Sequence, residues 1–135
     1  MIFSIKVAVM SRVKLNEELE NALKYADIEI PSYIKDNLNK ELREYQIQAL
    51  KRFLLQRKKP STSHLMFNMA TGSGKTLVMA ALMLDCYKNG YRNFIFFVNS
   101  TSIVEKTKAN FCDSSSSKYL FASEINIDGI RVTVR

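Results

Sequence analysis

Apolar residues recur along the chain at two periods, and the change from one to the other falls near residue 64. In residues 14–27, Leu15, Leu19, Ala22, Leu23 and Ala26 share one helical face, with Asn16 available as an N-cap. Residues 28–30 precede Pro31, whose ring disfavours helix in the residue before it, so they are expected to be extended. A second helix is expected over about 42–57, with Tyr45, Ile47, Ala49, Leu50, Phe53 and Leu54 as a broad stripe. The run Arg57-Lys58-Lys59 suits a helix C-terminus, where cations meet the negative end of the dipole; contact with a nucleic acid is its other reading. Residues 60–63, Pro-Ser-Thr-Ser, read as a loop.

From His64 onward the runs are short and continuous. Residues 64–69 read as a strand, and residues 77–87, apolar almost all round, as a buried helix stopped by Lys88-Asn89-Gly90. Residues 94–98, Phe-Ile-Phe-Phe-Val, read as a central strand of a parallel sheet. Ser100-Thr101-Ser102 can then cap a helix over about 102–111. Strand, helix, strand, helix is the order of an α/β doubly wound sheet. Residues 114–117 are a polar linker, and Asp128-Gly129 between residues 125–127 and 130–134 signals a hairpin. No internal repeat is present.

Composition narrows the class without naming a chemistry. The 135 residues suit one domain, and 47% hydrophobic with 24% charged residues is globular rather than disordered. Twenty Lys and Arg against thirteen Asp and Glu leave a charge of +7, spread over both halves of the chain. That balance fits a polyanion partner and fits a well-solvated surface nearly as well. Cys86 and Cys112 stand alone, with one histidine, His64, in the whole chain, so no zinc motif can be written and a reducing compartment is expected. No run reaches the ~20 apolar residues of a membrane span, and no signal-peptide cleavage site follows the N-terminal apolar run, so the expectation is a cytoplasmic protein.

The chemistry concentrates in Gly72-Ser73-Gly74-Lys75-Thr76, placed between an expected strand and an expected helix. That is the context of a phosphate-binding loop. Glycines let the backbone turn and bring N–H groups against phosphate oxygens, and the following helix adds its positive dipole end. Lys75 would reach the β and γ phosphates, and Thr76 would offer its hydroxyl to Mg²⁺. The strict pattern has a glycine where this chain has Met69.

Met69-Ala70-Thr71-Gly72-Ser73-Gly74-Lys75-Thr76 resembles motif I of superfamily-two helicases and translocases. Leu42-Arg43-Glu44-Tyr45-Gln46 resembles their adenine-reading Q motif, and Phe96-Phe97-Val98-Asn99-Ser100-Thr101 their motif Ia. With Ile30-Pro31-Ser32-Tyr33-Ile34, residues 28–134 resemble the start of the restriction (Res) subunit of type III restriction enzymes. The resemblance implies a P-loop, RecA-like parallel sheet flanked by helices. Residues 1–40 would form a helical N-terminal extension and residues 41–135 the first part of the ATP-binding domain. It implies ATP and Mg²⁺ as cofactors, held by Arg43, Gln46, Thr71, Gly72, Ser73, Gly74, Lys75 and Thr76. Lys75 and Thr76 would be the catalytic pair and Thr76 the metal contact. Gln46 would distinguish adenine from guanine, and Tyr45 would pack against the base or belong to the core stripe.

Ser100 and Thr101 would hold a DNA phosphate through hydroxyls and the helix N-terminus, and plain N-capping explains the same two residues. Lys106 and Lys108 would add diffuse charge at most. The implied partners are double-stranded DNA and a modification methyltransferase subunit that reads the site. The implied function is ATP hydrolysis coupled to translocation and cleavage in the full-length enzyme. The Asp-Glu pair of the DEAD/DECH type that such enzymes use for Mg²⁺ does not occur in the chain. It therefore reads as an N-terminal piece, cut or naturally truncated and inactive alone, of a Res subunit. Another superfamily-two helicase, or a non-catalytic remnant that binds nucleotide at most, are the alternatives.

Overall fold

A computed structural model of the chain describes residues 14–59 and 64–135. The apolar run before Lys14 and the loop expected at residues 60–63 lie outside the described residues. Five helices and one hairpin follow in order: α1 (Leu15–Leu23), α2 (Ser32–Lys35), α3 (Glu44–Arg57), α4 (Lys75–Lys88), α5 (Thr101–Phe111), β1 (Ile125–Ile127) and β2 (Ile130–Val132).

The first helix is shorter than its apolar spacing suggests and is not capped by Asn16. Lys14, with φ −65° and ψ 142°, occupies the N-cap position, and Asn16 falls in the first turn. The helix buries Leu19 and packs along α3, where Glu20 pairs with Arg52 at 3.0 Å and Glu18 with Lys59. Residues 28–30 are non-helical as expected, Ile28 and Ile30 buried on either side of exposed Glu29. Pro31 then N-caps α2, a single turn whose Ile34 is fully buried. Helix α3 ends at Arg57 with Lys58 as C-cap, which makes the basic run a helix end.

The parallel sheet expected from residues 64–69 and 94–98 is not formed among the described residues; the one sheet is the antiparallel pair β1–β2. Both runs keep a strand's alternation: Leu65, Phe67 and Met69 are half-buried between exposed neighbours, as are Phe94 and Phe96 around exposed Ile95. Their backbones find no laddering partner among the described residues. An apolar run supplies a buried face, but a strand also requires a neighbour for its N–H and C=O groups.

The hairpin is as expected. Ile127 pairs with Ile130 across Asp128 (φ 56°) and Gly129 (φ 76°), the two positive values that a tight type I′ turn demands. Asn37 anchors it: its side chain accepts from the Asn126 N–H at 2.7 Å and donates to the Asn126 carbonyl at 2.8 Å. One core joins α2, α3, α4 and the tail through Ile34, Leu50, Val78 and Phe121, continued by the Phe96–Phe111 stack at 5.1 Å. No helix among the described residues is long and apolar enough to cross a membrane.

Candidate functional site

The site is built where the N-termini of α3 and α4 meet. Ala70 to Gly74 form a turn in which the Ser73 N–H donates to the Ala70 carbonyl at 3.2 Å. Gly72 (φ 78°) and Gly74 (φ 74°) both take the left-handed conformation, and Gly74 is the N-cap of α4. A side chain at Gly74 is strained by that φ, and an added Cβ, 2.6 Å from Gln46 Nε2, would displace the Gln46 amide. The backbone N–H groups of Gly72, Gly74, Lys75 and Thr76 donate to no acceptor among the described residues. They gather at the positive end of a fourteen-residue helix.

Helix α3 grips this turn. Gln46, only 2% exposed, donates from Nε2 to the carbonyls of Ser73 (3.0 Å) and Gly74 (3.2 Å). Its Oε1 accepts from the Arg43 N–H at 2.9 Å, closing the first turn of α3. Tyr45 is exposed rather than part of the core stripe, and its hydroxyl donates to the Ser73 carbonyl at 2.8 Å while accepting from Arg43 Nη1 at 3.2 Å. Lys75 Nζ donates to the carbonyls of Met69 (3.1 Å) and Ala70 (2.8 Å), which keeps its cation at the turn. The Ser73 hydroxyl oxygen is buried without a hydrogen-bond partner among the described residues.

A cleft of about 380 Å³ opens beside the turn. Arg43, Gln46, Gly72, Ser73, Gly74 and Thr76, all singled out by their sequence pattern, line it. Thr71 is exposed in the turn outside the lining, and Lys75 lies at the turn. The opposite wall, missed by sequence reasoning, comes from Asn110 at the end of α5 and from Lys118 and Leu120 in the tail. No local spacing marks them, because they reach the turn only through the packing of residues 119–121 against residues 37–39, where the Asn39 N–H donates to the Leu120 carbonyl at 2.9 Å.

Ser100 and Thr101 stand elsewhere, exposed at the start of α5 and outside the cleft lining. Ser100 occupies the N-cap position, but no side chain caps the helix; its hydroxyl lies 3.1 Å from that of Ser102. Lys106 and Lys108 are exposed on the same helix, Lys108 beside Glu105 at 3.4 Å. Among the described residues, no cluster of His, Cys, Asp and Glu is placed to hold a metal ion.

Unpaired amides, a lysine and a hydroxyl around one turn are the kind of donor set that a multiply charged oxyanion requires. Residues 39–132 match the family described as Type III restriction enzyme, res subunit. The chain is 40% identical over 127 residues to the probable type III restriction-modification enzyme HindVIP Res subunit of Haemophilus influenzae. That alignment covers 87% of this chain and 24% of the relative, so the chain spans about a quarter of the relative's length. No solved structure matches the chain.

Proposed function

The chain belongs to the type III restriction enzyme Res subunit family, and on that premise we propose that it is the ATP-binding front of a DNA-dependent ATPase and translocase. The observation that carries this reading is the set of free amides of Gly72, Gly74, Lys75 and Thr76, gathered at the start of α4 on a turn with two left-handed glycines. The donor set fits a nucleoside triphosphate: backbone N–H groups for the α and β phosphates, Lys75 for β and γ, and the Thr76 hydroxyl for a magnesium ion. The orphaned Ser73 hydroxyl adds one more group in want of a partner. Bound there with Mg²⁺, ATP supplies the phosphoanhydride whose hydrolysis drives movement along DNA.

Lys75 would exchange its two loop carbonyls for phosphate oxygens, and Arg43 and Gln46, which line the cleft, would be the nearest of these residues to a base. Residues 1–40 form an extension ahead of this ATP-binding part, residues 41–135. The unpaired runs 64–69 and 94–98 become strands of a RecA-like parallel sheet in the longer enzyme. Double-stranded DNA meets the hydroxyls of Ser100 and Thr101, cleavage and the acidic magnesium motif belong to the rest of the Res polypeptide, and a methyltransferase subunit reads the site in the cytoplasm. Calorimetric titration of the 135-residue chain with Mg-ATP tests the core of this reading. A saturable signal abolished by Lys75→Ala is expected; no binding by the unaltered chain overturns it.

A further inference from the structure

Ten residues into the apolar helix α4 stands Asp85, a carboxylate only 1% exposed. It accepts from the Tyr33 hydroxyl of α2 at 2.8 Å and pairs with Arg57 Nε at 3.1 Å; Asn89 Nδ2 approaches it at 3.5 Å. A buried carboxylate is costly unless so satisfied, and apolar packing alone would do as well for stability. Arg57 is the last residue of α3, and Gln46, near the first, holds Gly74 at the N-cap of α4. From 46 to 57 on α3 and from 74 to 85 on α4 the separation is the same, eleven residues, three helical turns or about 16 Å. The two helices therefore lie parallel and in register, with one polar rung at each end.

Between the rungs lie buried Leu50 and Leu54 of α3 and Leu77, Val78 and Ala81 of α4. Apolar contact is non-directional and tolerates a slide. A slip of one residue is about 1.5 Å, enough to stretch and misalign a 3.0 Å hydrogen bond that runs across the slide. We propose that Asp85, through Arg57 and Tyr33, is a positioning residue for the phosphate loop: it fixes the register of α3 on α4 and so holds Gln46 and Tyr45 on the Ser73 and Gly74 carbonyls. Its consequence for affinity rests on the nucleotide reading above; its consequence for the loop does not.

The test replaces the charged rung with apolar side chains, Arg57→Met with Asp85→Leu, in the 135-residue chain, and follows amide hydrogen exchange with and without Mg-ATP. Asp85 is buried and the Arg57 side chain about a third exposed; apolar replacement of such a pair commonly preserves stability, so the melting temperature should hold. The amides of Ser73, Leu77 and Val78, whose acceptors are the Ala70 and Gly74 carbonyls, should exchange about fivefold faster while those of α5 do not change, and the Kd for Mg-ATP should rise by about the same factor. Adding Gln46→Ala should produce little further loss, since both changes release the same contact. Unchanged loop exchange in a stable replacement overturns the proposal, as does a loss fully additive with Gln46→Ala. Should every helix loosen together, Tyr33→Phe decides: selective loosening of the loop upholds the proposal and uniform loosening overturns it. An unaltered chain that does not bind Mg-ATP removes the nucleotide reading, while the exchange comparison still decides the register.

Discussion

Gln46 carries a polar amide into a place with almost no solvent, and both Nε2 hydrogens meet carbonyls of the turn. On the proposed nucleotide its first effect would thus be exerted through the loop. Gln46→Ala is expected to weaken Mg-ATP, Mg-GTP and inorganic tripolyphosphate alike, by roughly fivefold for each ~1 kcal/mol of hydrogen bonding lost. Competition titrations measure it, and a loss confined to ATP would assign the side chain to the base instead. The motif made Gln46 legible as a site residue, but its partners are 27 and 28 residues away, a distance that no helical or strand period spans. Tyr33 offers a pH-dependent test. Burial, then the hydrogen bond and charge of Asp85, push its phenol from 10.0 up to about 12. A raised folded value means that the fold favours the neutral phenol. The contribution is complete below pH 10 and is lost as pH rises towards 12. Alkaline thermal melts should therefore fall more steeply across that interval for the unaltered chain than for Tyr33→Phe.

At the scale of elements, what could be read from the sequence was what is decided locally. The hairpin follows from Asp128-Gly129 and its flanking isoleucines, and α4 from a glycine turn followed by an apolar run. Helix α2 escaped notice because a single turn after a proline has no period to show. The sheet failed for the opposite reason: residues 64–69 and 94–98 alternate correctly, yet strand character depends on neighbours that no local pattern contains. Helix α5 sharpens the DNA reading. Because no side chain caps it, changing Ser100→Ala with Thr101→Ala should lower the melting temperature little. If the two hydroxyls hold a phosphate, DNA affinity should drop at fixed salt with the salt slope unchanged, since no cation is removed. Filter binding across a salt series, beside a melt of the same variant, reads both quantities.

At the scale of the whole molecule, binding and turnover come apart. The turn, its lysine and its gripping helix are all present, while an acidic pair of the DEAD/DECH type is absent from the sequence. The purified 135-residue chain should bind Mg-ATP yet release no phosphate above background when duplex DNA is added, as a phosphate-release assay would report. DNA-stimulated turnover abolished by Lys75→Ala would contradict this.

The two unpaired runs also govern how the protein behaves at the bench. Met66 and Phe97 are each 91% exposed, on backbone whose hydrogen-bonding groups find no ladder among the described residues. Such edges template the association of one chain with the next. Concentrated solutions should scatter light progressively more on standing, and warming should hasten this because apolar association strengthens with temperature. A lysine in place of Phe97 should delay the onset without moving the Mg-ATP titration, since Phe97 is absent from the cleft lining.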